Sequence, residues 1–312
     1  MTFLPLSPEE AIVIHVILPA YRPNEHWLAE QLRSILDQAD VSVRIWLCPD
    51  GQDDAAVAVA EGFGDARIVI LSFAERMGVR ANVERGLQAA LAASTPGDLF
   101  AFADQDDIWH PNKLAKGAAA LPDDPIALST HDARVVNAGG ELVALSVNAY
   151  ERRHRYLDQL ALLIANSVTG MTMVATEAAV RRALPFPDCR DMLHDWWLTL
   201  VVAGLGSIAR MDEPLVDYRQ HARNVIGPKS AGVSPLLSFP PRRVFLGGDY
   251  RRMAREAFDT RRLIAAELKA RDALTALAVG FFLQRRLEPV LRFWHGSERR
   301  MAIRCAIGML LS

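Results

Sequence analysis

Cysteine is scarce, with Cys48, Cys189 and Cys305 the three in 312 residues. They stand far apart, without metal-ligand spacing and without the even count of a disulfide framework. A sparse, odd set fits a reducing compartment. Long apolar runs are also missing. The longest, residues 273–283, falls well short of the roughly 20 residues that span a bilayer. The opening MTFLPLSPEE carries proline and acids where a secretory leader needs a basic start and an apolar run. A cytoplasmic location is therefore expected. Neither GxGxxG nor GxxxxGK[ST] occurs, which speaks against a dinucleotide-dependent oxidoreductase and against a glycine-rich phosphate loop. No nucleic-acid module is present, and no nucleic-acid partner is expected.

With 51% hydrophobic and 23% charged residues, the chain can bury a sizeable core, so disorder is not the default. The net charge of -2 conceals an asymmetry. Residues 241–312 carry 15 Lys+Arg against 7 Asp+Glu, a balance of +8, and the remainder carries 20 against 30. A basic tail on an acidic body suits an anionic surface such as a membrane, and an arginine-rich solvated helix face explains it equally well. Within the tail, Arg251, Arg252, Arg255, Arg261 and Arg262 interleave with Ala254, Phe258 and Leu263. That pattern fits an interfacial helix or a helical hairpin packed on the main domain.

The apolar run AIVIHVIL (11–18) ends at Pro19 and reads as a buried strand. Helical spacing over 25–38, a strand over 41–48 stopped by Pro49-Asp50-Gly51, and a short helix over 53–60 follow. A third strand is expected at 66–73, a helix at 79–93 and a fourth strand at 98–103. This alternation predicts an α/β fold, a mainly parallel Rossmann-like sheet flanked by helices. Further on, 127–136 and 141–145 read as strands around an Asn-Ala-Gly-Gly turn, 167–175 as a strand and 191–203 as a helix. The expected division is a domain over 1–227, a Pro- and Ser-containing linker over 228–248, and a basic, amphipathic helical C-terminal region over 249–312.

Ligands of such sheets sit at the carboxyl ends of the strands, where this chain has Tyr21, Asp50, and the turn Asp104-Gln105-Asp106-Asp107. Three carboxylates in four residues repel one another unless a counter-charge intervenes. A hard divalent cation shared with substrate phosphates supplies one; a solvated acidic turn is the bland alternative.

In order along the chain come Leu18-Pro19-Ala20-Tyr21, Pro49-Asp50-Gly51-Gln52-Asp53, Arg76-Met77-Gly78 with Asn82, and Asp104-Gln105-Asp106-Asp107-Ile108-Trp109-His110-Pro111-Asn112-Lys113-Leu114. His194-Asp195-Trp196-Trp197 and Asp217-Tyr218-Arg219-Gln220-His221 with Asn224 complete the set. This ordered series resembles family 2 glycosyltransferases of the GT-A fold, particularly the bacterial rhamnosyltransferase-type members. The resemblance implies an inverting, metal-dependent transfer of a sugar, with L-rhamnose favoured, from a nucleotide-diphosphate sugar to an acceptor hydroxyl. The implied acceptor is a saccharide or lipid-linked saccharide of surface polysaccharide or glycolipid synthesis. For an enzyme docked on the inner face of the cytoplasmic membrane, the basic tail would supply the contact.

The resemblance assigns Pro19, Ala20, Tyr21, Asp50, Gly78, Asn82 and Asp104 to the nucleotide, and Asp104 and Asp106 to Mg²⁺ or Mn²⁺. His221 is expected at the metal or the diphosphate, where imidazole suits Mn²⁺ better than Mg²⁺. Arg80 stands beside the base or ribose, or merely in a helix cap. Arg219 pairs with phosphate oxygens or with an acidic neighbour. Asp195 is implied as the base that takes the acceptor's proton, in a setting desolvated by its neighbours. Trp109, His194 and Trp196 are implied on the acceptor or sugar side. Two departures stand out: Pro49 replaces the first of a common acidic pair, and His194 replaces the more usual Glu. A non-catalytic nucleotide-sugar-binding protein on this fold is one alternative. A nucleotidyltransferase is another, disfavoured because PAYRPNEHW lacks a glycine-rich basic loop.

Overall fold

The computed structural model describes residues 12–153, 155–158, 161–162, 166–187 and 193–221. Cys189, Cys305, Asn224, the expected linker and the basic C-terminal region lie outside the described residues.

The first half follows the alternation read from the sequence: β1 (Val13–Ala20), α1 (Glu25–Leu36), β2 (Ser42–Pro49), α2 (Asp54–Glu61), β3 (Ile68–Ile70), α3 (Val79–Ala93) and β4 (Leu99–Phe102). Then come β5 (Ile108–Trp109), α4 (Lys113–Ala119), β6 (Ala127–Asn137), β7 (Leu142–Ala144) and α5 (Val147–Glu151). A 3-10 turn (Gly170–Thr172), β8 (Met173–Thr176), α6 (Glu177–Ala183), α7 (His194–Leu205) and β9 (Ser207–Gln220) complete the described chain.

All nine strands join one sheet in the order β3-β2-β1-β4-β8-β6-β9-β5, with β7 added on β6. The pairs among β1, β2, β3 and β4 are parallel, because each connection returns through a helix. Beyond β4 the sheet is mixed. β8 runs antiparallel to both β4 and β6, whereas β6 and β9 are parallel over a long, twice-shifted register. The expected parallel sheet thus holds for the first half and gives way to a mixed second half.

Both faces are covered, as a two-sided apolar sheet requires. One core gathers Ile14, Val16 and Leu18 of β1 with Leu28, Leu32 and Ile35 of α1. The opposite core gathers Ile17, Phe100 and Phe102 with Leu87 of α3 and Trp196, Trp197 and Leu200 of α7. Helix α7 buries almost all of its residues from His194 to Val202, so it is a core helix rather than an amphipathic one. Gly86 lets α3 lie against the sheet: a Cβ there would stand 2.7 Å from Cys48 Sγ and 2.9 Å from Ile17 Cγ2. His15, inside β1, has both ring nitrogens engaged, by Trp46 Nε1 at 3.0 Å and Asp98 Oδ2 at 3.1 Å. Among the described residues no helix is long and apolar enough to cross a membrane.

Candidate active site

The parallel strands β1, β2 and β4 end side by side, and the polar residues that follow them meet there. Ala20 accepts the backbone N–H of Asp50 at 2.8 Å, closing β1 against β2. Tyr21 donates its N–H to Gln105 Oε1 at 2.8 Å, which ties the end of β1 to the acidic turn after β4. The Arg76 guanidinium lies 4.0 Å from the centroid of the Tyr21 ring. Asp50, buried at the end of β2, accepts the backbone N–H groups of Met77 at 2.7 Å and Gly78 at 2.9 Å. Gly78 adopts φ +82° and precedes α3, a conformation that favours glycine. Pro19, Ala20, Tyr21, Asp50 and Gly78 therefore share one rim. A carboxylate has about four lone-pair sites, so the two bonds to this loop leave Asp50 able to accept another donor.

Asn82 does not belong to that rim. It is fully buried, donates Nδ2 to the Cys48 carbonyl at 2.6 Å and accepts from Arg85 at 3.2 Å. Its amide pins α3 to β2. Arg80 is likewise turned away, onto the Pro187 carbonyl.

The turn Asp104–Asp107 concentrates negative charge. Burial, then Asp106 and Asp195, push the Asp104 carboxyl up to about 7. Burial, then Asp104 and Asp106, drive Asp107 well above the usual carboxylate range, against the pull of Arg219. Asp195, at the first turn of α7, thus acts on Asp104 although the two are far apart in sequence. Asp106 is held by His221 Nε2 at 2.5 Å, and His221 leans on the Trp27 ring at 4.7 Å. Asp107 accepts the Arg219 N–H at 3.0 Å through Oδ1, while its buried Oδ2 has no hydrogen-bond partner.

Of the two options for Arg219, the structure takes the protein one. Its buried guanidinium reaches the Asp106 carbonyl at 2.9 Å, the Ala138 carbonyl at 3.1 Å and Glu30 Oε2 at 2.8 Å. It clasps β9 to the acidic turn and to α1.

The three residues expected on the acceptor side, Trp109, His194 and Trp196, are buried. Trp196 lies in the core with Nε1 on the Leu162 carbonyl at 2.5 Å, and Trp197 likewise on Ala183 at 2.6 Å. Neither offers an open face to a sugar. Trp109 is 2% exposed, and one face carries the Lys113 ammonium 3.6 Å from the ring centroid. His194 is buried, tilts on Phe102 at 5.2 Å, and has its pKa lowered by loss of water. Asp195 remains half-buried, its Oδ1 accepting the Trp196 N–H at 2.7 Å.

Gly170 was passed over in the sequence, and Lys113, quoted within the Asp104–Leu114 stretch, was given no role there. A Cβ on Gly170 would stand 2.9 Å from His194 Nε2 and 3.7 Å from Asp195 Cβ. The glycine inside SVTGMTMVA signalled a close approach, which a strand reading absorbed. Lys113 is fully buried, the one cation in an otherwise apolar or small inward set with Leu114 and Gly117 on α4.

Among the described residues no group of three His, Cys, Asp or Glu side chains is arranged to hold an ion unaided. Mg²⁺ and Mn²⁺ sites of this kind use one or two carboxylates and complete the shell with substrate phosphates and water. The neighbouring carboxylates Asp104 and Asp106, with the His221 imidazole on Asp106, fit that pattern.

Comparisons with known proteins identify the family. The family model "Glycosyl transferase family 2" matches residues 15–180. The dTDP-rhamnosyl transferase RfbG of Shigella flexneri is 30% identical over 215 residues, 65% of this chain and 72% of that protein. The Escherichia coli UDP-Glc:alpha-D-GlcNAc-diphosphoundecaprenol beta-1,3-glucosyltransferase WfgD is 23% identical over 192 residues, 61% of this chain and 70% of that one. In fold, S. aureus TarS 1–349 in complex with UDP-GlcNAc aligns with a TM-score of 0.52 at 15% identity, covering 95% of this chain and 90% of that one. The matched segment runs from within β1 through β8 and holds the whole acidic turn, and on it the chain belongs to glycosyl transferase family 2, enzymes that draw on nucleotide-sugar donors.

Proposed function

We propose that this glycosyltransferase is inverting and metal-dependent, and that it transfers L-rhamnose from a deoxythymidine-diphosphate donor. The donor sugar is drawn from the name of the RfbG relative. The acceptor is a hydroxyl of a lipid-linked saccharide, in keeping with the diphosphoundecaprenol substrate in the name of the WfgD relative.

The observation that supports the mechanism is that Asp195, in the first turn of α7, and Phe102, at the end of the strand that leads into the acidic turn, flank the same point beside Gly170, each Cβ 3.7 Å from where a Cβ on that glycine would stand. The rim of Pro19, Ala20, Tyr21, Asp50 and Gly78 receives the nucleoside, with Asp50 accepting the pyrimidine N–H. Asp104 and Asp106 would hold Mg²⁺ or Mn²⁺, with His221 orienting Asp106 or joining the ligand set. When bound, such a cation would supply positive charge towards the leaving nucleoside diphosphate. Asp195 takes the proton of the acceptor hydroxyl as that oxygen attacks the anomeric carbon. Gly170 keeps the space in front of Asp195 open.

Donor hydrolysis by the purified chain tests this reading, using a panel of nucleotide sugars with Mn²⁺ or Mg²⁺. Asp106→Ala is expected to lower nucleoside-diphosphate release by at least ~100-fold, the scale of removing one charge-stabilising group. Asp195→Ala should abolish transfer to an acceptor while retaining part of the slow hydrolysis, since water attack needs the base less. Full activity of Asp106→Ala without added metal would sink the metal-dependent mechanism.

A further inference from the structure

Helix α1 carries a tryptophan that neither core uses. The buried face of α1 is Leu28, Gln31, Leu32 and Ile35. Trp27 lies beside that stripe, is only partly buried, and belongs to neither apolar core. The start of the helix holds it in place, because Asn24, the N-cap, accepts the Trp27 N–H through Oδ1 at 3.2 Å. The indole faces the end of β9. The His221 ring lies 4.7 Å from it, centroid to centroid, with the two planes 34° apart. The central guanidinium carbon of Arg219 stands 5.1 Å from the centroid of the same indole. One turn further along α1, Glu30 pairs with Arg219 at 2.8 Å. Ring-on-ring and cation-on-ring contacts at these distances are attractive and depend on orientation.

We propose that Trp27 is a positioning residue, the wall that fixes the His221 ring against Asp106. His221 directly follows β9, and its Nε2 meets the Asp106 carboxylate at 2.5 Å. A hydrogen bond at one ring nitrogen fixes a point of the imidazole, and an aromatic face beside it fixes the plane. Together they present the ring to Asp106 in one orientation, which is what a carboxylate in a metal site requires of its partner. The segment PAYRPNEHW therefore serves the donor site twice. Tyr21 joins the rim beside Asp50, and Trp27 braces the acidic turn from the far side through His221.

This inference rests on the donor-site reading above, and the test separates the two. Mn²⁺ binding to the full chain, with deoxythymidine diphosphate present, is measured by calorimetry. The variants are Trp27→Leu, Trp27→Phe, His221→Ala and the double variant with Trp27→Leu and His221→Ala. The two single changes Trp27→Leu and His221→Ala are each expected to weaken Mn²⁺ binding about tenfold, the lower end of what outer partners of metal ligands contribute. The double variant should be at most about twofold weaker than His221→Ala alone, because both losses run through one imidazole. Trp27→Phe keeps an aromatic face and should stay within about threefold of the wild type. Losses that multiply in the double variant would make Trp27 a packing residue and overturn the proposal. Unchanged binding in Trp27→Leu or in His221→Ala would also overturn it, as would equal losses in Trp27→Phe and Trp27→Leu. Trp27→Gln, a good helix former without an aromatic face, is carried through the same cycle, so a folding defect in Trp27→Leu does not shield the proposal. Absence of Mn²⁺ binding by the wild type would instead overturn the donor-site reading on which it stands.

Discussion

Gly170 shows how a residue without a side chain contributes to chemistry. The space its missing Cβ leaves is bounded by His194 Nε2, Asp195 Cβ and Phe102 Cβ. Gly170→Ala would push a methyl group to 2.9 Å from the imidazole and so displace the start of α7. A displacement near 1 Å of a positioned group costs on the order of 100-fold in rate. Transfer by Gly170→Ala is therefore expected to fall by roughly 10- to 100-fold, while nucleoside-diphosphate affinity stays within a few-fold of the wild type, because the rim around Asp50 is untouched. Steady-state kinetics beside a nucleotide titration would check this; equal losses in both would place Gly170 in general folding rather than at the acceptor side.

Helix α3 depends on Gly86 in a different way. In an exposed helix Gly→Ala gains up to ~1 kcal/mol of propensity. Here the new methyl group would meet Cys48 Sγ and Ile17 Cγ2, both fully buried, below 3.0 Å. Overpacking costs about 1–3 kcal/mol, so a net loss of roughly 1–2 kcal/mol is expected in urea unfolding, and a gain would contradict the packing described. Elements of this half were legible in the sequence because their signals are local. β1, β2 and α3 match the expected segments closely, since apolar runs and i, i+4 spacing identify them. The third strand shrinks from the expected 66–73 to Ile68–Ile70, an edge with one neighbour. β9 could not be read in the same way: SIARMDEPLVDYRQ carries charges and Pro214 and becomes a strand by lying along β6. For the site, the acidic turn and Asp50 drew attention by their place after apolar strands, and Asp195 by the family resemblance of its motif. The burial of Trp109, Trp196 and Asn82 was not, because which face of an aromatic or amide meets the core is decided by tertiary packing.

For the molecule as a whole, buried titratable groups pull in opposite directions with pH. Burial lowers the pKa of His15, His131 and His194, that of His131 to about 3. Unfolded histidines take up protons below ~6.5 and these three do so less readily, so their contribution to stability falls as pH drops below 6.5. Asp104 and Asp107 do the reverse. Their raised pKa values make the folded chain bind protons that the unfolded chain has lost, so between about 4 and 7 their contribution rises as pH falls. Without metal the two trends oppose one another from pH 7 to 5, so the carboxyls flatten the fall in unfolding temperature that the histidines alone would give. Saturating Mn²⁺ with a nucleoside diphosphate displaces the carboxyl protons and leaves the histidine trend, so the same titration should become steeper. Parallel curves in thermal melts with and without the metal would refute this account.

The long reach of β9 has a consequence for synthesis. Asp106 and His221 are 115 positions apart, yet the turn that holds Asp106 follows a strand built from local βα units. At roughly 5–20 residues per second on the ribosome, the imidazole arrives on the order of ten seconds after the carboxylate it holds. Until then Arg219 is absent as well, and the acidic turn has neither its clasp nor its partner. The order of translation therefore keeps a nascent chain from assembling this constellation before the sheet beneath it is complete.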